Sequence, residues 1–339
     1  MPDPLPPPPA AGGAILAQDS EKSGRPAAPS GGVIAWLRLF RAPIVFTAAS
    51  NPLAACLSAI KPNDPIPWDA LAWLLPGSAC LGLAGMALND YFDRQRDAER
   101  RPSRPIPAGA IPAESALVAG LALLAIGVGL AFAASRTSGL LAAAAAGFIL
   151  LYDAALKEWG TIGAWSLGLA RCANACAGLA LAPSAARLID SSWAMRMEWF
   201  YPVILLLLIQ SVTQLSRLED DDSPPASRQM ALGVYTFLLI IGPWVLQAKI
   251  AHSVHRGLPG AGWAYAALGL LSLTLAARLI PALRDPSEKR IRGLVGTALL
   301  GLLLFDAAAI LSAGHPLPGA IVAASVPAAW LLGRRIAIT

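Results

Sequence analysis

Charge is what this chain has least of. Only 14% of its 339 residues are Asp, Glu, Lys or Arg, where a soluble globular domain carries about 25%. The shortfall, with 56% hydrophobic residues and a mean hydropathy of +0.57, argues against a soluble fold. The apolar residues also come in long runs, and a bilayer span needs about 20 of them. Histidine is scarce too. His252, His255 and His315 are the 3 present; they fall in or near loops, and His252 and His255, beside Lys249, read as solvated loop residues. The 4 cysteines, Cys56, Cys80, Cys172 and Cys176, all lie in apolar segments. Cys172 and Cys176 are one helical turn apart, but no His or second Cys pair completes a zinc pattern. They read as small packing residues. The net charge of +5 comes with no nucleic-acid motif; basic residues beside apolar helices are what membrane topology selects. The implied partner is the lipid bilayer.

Residues 1–32 are rich in Pro, Ala, Gly and Ser and lack an apolar run long enough for a signal peptide. They read as a disordered tail, with residues 33–339 as one polytopic membrane domain. Spans are expected at about 35–60, 68–92, 113–134, 139–157, 161–182, 199–219, 230–250, 261–283, 293–312 and 316–333. Pro316 and Pro318 leave open whether the last two are one broken element, so the expectation is an all-α bundle of nine or ten transmembrane helices around a central cavity. Many spans are rich in Ala and Gly, which lets membrane helices approach closely. The Lys/Arg-rich ends (Arg38 and Arg41, then Arg94–Arg104, Lys157, Arg217 and Arg228, then Arg278–Arg292) all fall on one side. By the positive-inside tendency that side is cytoplasmic, in the inner (plasma) membrane of a bacterium.

The chemistry concentrates where the second span ends, in NDYFDRQRDAERRPSRPIPAG, residues 89–109. Asn89, Asp93 and Asp97 are spaced i, i+4, i+8, and on a continuous helix they share nearly one face. A helix C-terminus disfavours carboxylates, so a row of oxygen ligands there needs a cation. Hard oxygens suit Mg²⁺, which takes one or two carboxylates together with phosphate oxygens. The adjacent Arg94, Arg96, Arg100, Arg101 and Arg104 suit the phosphates. A second acidic cluster, Glu219, Asp220, Asp221 and Asp222, closes the sixth span, four spans later and on the same side. Arg171 and Asn174 share a face inside the fifth span, and Asn51 lies in the first. Each is either interhelical glue or cavity lining. Tyr91, Phe92, Tyr152 and Trp159 lie near the boundary, as interface aromatics or as rings facing a cation. Asp306, alone in an apolar stretch, calls for a partner on a neighbouring helix.

Asn89, Asp90, Asp93 and Asp97, followed by Arg101-Pro102-Ser103-Arg104-Pro105-Ile106-Pro107-Ala108-Gly109, resemble the first signature of the UbiA-type membrane prenyltransferases. Tyr152 and Lys157 in LLYDAALKEWG are similar to that family's Tyr–Lys element. The resemblance covers roughly residues 35–312. It implies that Asn89, Asp93 and Asp97 hold Mg²⁺-diphosphate, that Glu219 and Asp220 hold a second Mg²⁺, and that Lys157, Arg101 and Arg104 bind phosphate oxygens. Asp93, Asp97, Lys157 and Asp220 are then the expected catalytic residues. Asn51, Arg101, Arg104, Tyr152, Arg171 and Asn174 are the expected substrate contacts. The second signature departs from the family: Ser216 stands where a carboxylate is usual, four residues before Asp220. The implied activity is Mg²⁺-dependent transfer of an isoprenyl group from an isoprenyl diphosphate to a small acceptor, aromatic or lipid, within the membrane. The alternative is a non-catalytic carrier or scaffold that binds a prenylated or phosphorylated lipid or metabolite.

Overall fold

The computed structural model describes residues 32–183, 200–219 and 225–338. Asp220, Asp221 and Asp222, and the tail before residue 32, therefore lie outside the described residues. Every described element is helical. The chain opens with α1 (Val33–Leu39) and α2 (Ile44–Ser58), followed by α3 (Trp68–Phe92), α4 (Arg94–Arg100), α5 (Ala113–Ala134) and α6 (Arg136–Leu151). A π-helical turn, Tyr152–Leu156, ends α6 before α7 (Thr161–Leu179), α8 (Phe200–Arg217) and α9 (Pro225–Ile241). A 3₁₀ turn, Gly242–Leu246, leads into α10 (Gln247–His255), and α11 (Ala261–Arg284), α12 (Glu288–Ser312) and α13 (Pro316–Ile338) complete the bundle.

Among the described residues, 8 helices are long and apolar enough to cross a membrane, or 9 if the bent α1–α2 pair is one span. All ten expected segments are helical, and the difference in count rests on α7. Its 19 residues are long enough, but Arg171 and Asn174 make it the least apolar of them. The expected first span is broken rather than continuous: α1 and α2 meet at 50°. Pro43 has no N–H to extend a helix, and Arg41 sits in the left-handed region at φ 44, a costly conformation for a residue with a side chain. The last two spans are separate helices, divided at Gly314, whose φ of +84 ends α12 as glycine commonly does.

The core centres on α12, the most buried of the candidate spans, while α13 is the least. From Gly301 to Ser312 every α12 residue is buried, as expected for a helix apolar on all sides. It packs on α2, α8, α11 and α13. Small residues set the closest approaches elsewhere. A Cβ on Gly178 of α7 would lie 1.9 Å from the Pro52 carbonyl oxygen of α2, so this crossing admits only glycine. In the α5–α6 corner, Ser135 caps α6 by accepting from the Ser138 N–H at 3.0 Å, satisfying one orphan donor of the helix start.

One polar cluster lies inside this apolar frame. Asp306 of α12 is fully buried. It accepts from Ser50 Oγ at 2.5 Å and Asn51 Nδ2 at 3.0 Å, both on α2, and from the Tyr201 hydroxyl of α8 at 2.6 Å. Arg171 of α7 donates to Asn51 Oδ1 at 3.1 Å. Three helices thus meet at one carboxylate, with α7 joined to it through Asn51, which answers the need of Asp306 for a partner. Nearby, Asn174 accepts from Ser78 Oγ of α3 at 2.8 Å and donates to the Ala48 carbonyl at 3.2 Å. Asn51 and Asn174 are both buried, with side chains turned to neighbouring helices. In this arrangement the bundle itself takes up their hydrogen bonds, as interhelical glue would. His315 is also buried, with Nε2 3.1 Å from the Ile60 carbonyl oxygen, whereas His252 and His255 are exposed on the end of α10.

Candidate active site

The spacing of Asn89, Asp93 and Asp97 anticipates one continuous helix. Instead, α3 stops at Phe92, and Asp93 is both its C-cap and the residue before α4. The backbone hydrogen bonds continue across the join, from Asp93 N to Asn89 O at 3.0 Å and from Asp97 N to Asp93 O at 2.8 Å. The three side chains nevertheless divide between two cations. Lys157 Nζ donates to Asn89 Oδ1 at 2.6 Å and contacts the Asp93 carboxylate directly. Asp97, buried on α4, is bound by Arg104 at 2.5 Å. Arg104 also reaches Asp90 at 3.4 Å, and Arg41 pairs with the same Asp90 oxygen at 3.0 Å. The bend at Arg41 is what brings its guanidinium down onto α3.

Lys157 is held in turn. Its N–H bonds the Tyr152 carbonyl at 3.0 Å, five residues back, which is the π-helical register and one often found at functional sites. Its ammonium lies 6.0 Å from the Tyr152 ring centroid, within the range of a cation–π contact. Arg217, the last residue of α8, donates to the carbonyls of Lys157 at 3.0 Å and Gly160 at 2.8 Å. Two residues on, Glu219 lies 3.8 Å from Arg101 and 3.4 Å from Arg292. The end of α8 thus meets α4 and the turn after α6, and the start of the second acidic cluster adjoins the arginines of the first. Ser216 donates its hydroxyl proton to the Thr213 carbonyl at 2.8 Å, within its own helix, and in place of a carboxylate it is a weaker ligand for a hard cation.

A cleft of about 190 Å³ opens between Phe92, Asp93, Asp153, Lys157 and Glu158. Of the four boundary aromatics, Phe92 lines it. Tyr91 lies under the Arg94 guanidinium at 4.4 Å, and Trp159 is exposed. Asp153 did not stand out in the sequence, because it sits in an interface segment with no motif spacing of its own to the Asp-rich signature. Yet it is buried, and its Oδ1 has no hydrogen-bond partner among the described residues.

Among the described residues no three His, Cys, Asp or Glu side chains form a ready metal cage. The donor set still suits Mg²⁺, which needs only one or two carboxylates when phosphate oxygens fill the remaining positions. Asn89 Oδ1 and the Asp93 carboxylate already converge on one cation, the Lys157 ammonium. The adjoining Asp153 carboxylate has an oxygen awaiting a positive partner.

A family model described as the UbiA prenyltransferase family matches residues 49–292. The chain belongs to the UbiA prenyltransferase family. Similar UbiA-family relatives include the digeranylgeranylglyceryl phosphate synthase of Ignicoccus hospitalis, 30% identical over 59% of this chain and 62% of the relative. The enzyme of the same name from Methanopyrus kandleri is 43% identical over 26% of this chain and 30% of its own. The 4-hydroxybenzoate octaprenyltransferase of Idiomarina loihiensis is 33% identical over 41% of this chain and 50% of its own. The matched region therefore spans less than two thirds of each of these curated relatives. Among solved structures, an apo UbiA homolog from Aeropyrum pernix K1 aligns with a TM-score of 0.57 at 18% identity, over 78% of this chain and 96% of that one. A UbiA homolog from Archaeoglobus fulgidus bound to GPP and Mg²⁺ aligns with a TM-score of 0.53 at 17% identity, over 81% and 99%. These likenesses establish the UbiA fold of a multi-pass membrane protein.

Proposed function

We propose that this protein transfers an isoprenyl group from an isoprenyl diphosphate to a small acceptor within the membrane, in a Mg²⁺-dependent reaction. The observation that carries the reading is the Lys157 ammonium bridging Asn89 and Asp93 at the mouth of an apolar bundle. A cation already sits between the oxygens that would hold Mg²⁺, and it is itself a phosphate ligand. Asn89 and Asp93 hold the metal, with Asp97 once Arg104 turns to phosphate. Lys157, Arg101 and Arg104 donate to diphosphate oxygens, charge-assisted bonds that strengthen as negative charge gathers on the leaving group. What Mg²⁺ supplies when bound is neutralisation of that departing charge. The apolar helices hold the isoprenyl tail and exclude water from the allylic cation. Tyr152 and Phe92 present ring faces near the ionising end. Glu219, paired with Arg101, is the described edge of a second metal site that includes Asp220.

The mouth faces the cytoplasm in this reading, on the strength of the clustered basic residues there. Relatives named for a lipid phosphate product and for 4-hydroxybenzoate support a small-molecule acceptor, aromatic or lipid. Arg171, half-buried on α7, is the side chain within the bundle best suited to an anionic group on it.

Membranes containing the full chain, supplied with Mg²⁺ and labelled prenyl diphosphates of several lengths, test the reading. Labelled lipid together with released diphosphate is the expected result. Mg²⁺-dependent binding without either product would instead favour the carrier, whose supporting observation is the serine, Ser216, where a second carboxylate would stand.

A further inference from the structure

Two carboxylates on this cleft compete for one ammonium. Asp93 has Lys157; Asp153, also lining the cleft, is buried with Oδ1 unpartnered. Burying a carboxylate without a partner is costly, and such a group persists where a cation arrives in the working cycle. Asp153 is four residues before Lys157, on the turn that carries it, and residues at that spacing lie on one face. The lysine can therefore exchange Asp93 for Asp153 by rotating its own side chain, with no movement of the backbone.

We infer that Asp153 is the second seat of Lys157: the lysine occupies the Asn89–Asp93 cation position in the metal-free protein and moves toward Asp153 when a divalent cation takes that position. The inference rests on the proposed metal site. It makes Asp153 a positioning residue, acting through Lys157 rather than by touching the metal. It also explains why a lysine and a metal position share the same two oxygens. An ammonium and a divalent ion repel when held together, and an opposite charge beside the displaced ammonium offsets that repulsion. Diphosphate then finds Lys157 at the edge of the cleft, already clear of the metal.

The test is a double-mutant cycle on Mn²⁺ binding, measured by electron paramagnetic resonance on the purified full chain in nanodiscs, without diphosphate. Lys157→Met removes the competing cation and should tighten Mn²⁺ by about tenfold, while Asp153→Asn should weaken it by at least about fivefold, as expected of coupled neighbours. In the Lys157→Met background the Asp153→Asn change should shift Mn²⁺ affinity by less than about twofold, because no lysine remains to be reseated. Asp153→Glu should restore near-native affinity, which guards against a mere folding defect. An equal loss from Asp153→Asn in both backgrounds would mean that Asp153 ligates the metal directly, and would overturn the inference while leaving the metal site intact. Unchanged affinity in Asp153→Asn would overturn it as well. No Mn²⁺ binding by the wild type would overturn it together with the metal reading beneath it.

Discussion

Two groups of buried polar residues in this protein look alike in composition and differ in completeness. Around Asp306, deep in the bundle, a carboxylate accepts from Ser50, Asn51 and Tyr201, and Arg171 completes the cluster through Asn51. At the mouth, Asp93 shares its cation with Asn89, Asp97 shares Arg104 with Asp90, and Asp153 has an oxygen with no partner. The inner cluster is closed: three donors from α2 and α8 satisfy the carboxylate of α12, and these helices are fixed relative to one another. The mouth is open, because its cations are flexible Lys and Arg side chains that can leave for a ligand. A satisfied buried network holds a fold together, whereas an unsatisfied group within one is costly and calls for a reason.

The comparison is most easily broken at Asp93. Asp93→Ala should lower prenyl transfer by at least about a thousandfold, on the scale of losing a principal electrostatic contact to the reacting charge. The melting temperature should stay near wild type; a large drop would mean that the mouth is also structural. Asp306→Ala should do the reverse. It strands three donors beside the Arg171 charge, and should reduce unfolding stability by about 3 kcal/mol, as when one partner of a buried charged network is removed. Mn²⁺ affinity of the surviving folded protein should be unchanged, and a parallel loss of Mn²⁺ affinity would merge the two regions into one site. Tyr201→Phe tests the same cluster more gently. The ring stacks on Phe305 with centroids 5.2 Å apart, and that contact survives, so only the hydroxyl bond is lost. A destabilisation of about 1.5 kcal/mol in a urea titration is expected, typical of a hydrogen bond to a charged group. Last, Arg101→Gln should alter stability by less than about 1 kcal/mol, since its bridge to Glu219 is partly exposed. It should still weaken binding of a prenyl diphosphate analogue, measured by calorimetry. Unchanged binding would remove Arg101 from the phosphate contacts.

Much of this was legible in the linear chain. Residues 68–92 announced α3 by a long, mostly apolar run free of charge between Asp69 and Asp90, and the Asn89/Asp93/Asp97 spacing with its trailing arginines marked the candidate site. Both signals are local, carried by residues within a few turns of one another. Lys157 was legible only through resemblance to a family element, since nothing near it in sequence shows that its partners are Asn89 and Asp93, 68 and 64 residues away. The break at Asp93 and the bend at Arg41 were not legible. Neither carries an unambiguous sequence signal, and in each the direction of the chain is set by what the helix packs against.

By itself, then, the sequence determined that the chain crosses a bilayer many times, that its basic residues gather at the ends of particular spans, and where carboxylates meet arginines. Hydrophobic run length, charge placement and helical spacing are properties of neighbouring residues and are written in order along the chain. Only the tertiary structure decided the partners: that Asp306 is closed by donors from α2 and α8, and that Asn51 and Asn174 bond to neighbouring helices. It alone placed Asp153 on the same cleft as Lys157, with an oxygen that has no partner among the described residues. The bond from Asn51 to Asp306 spans 255 residues, and whether a buried carboxylate finds its partner at such a distance depends on how the helices stack.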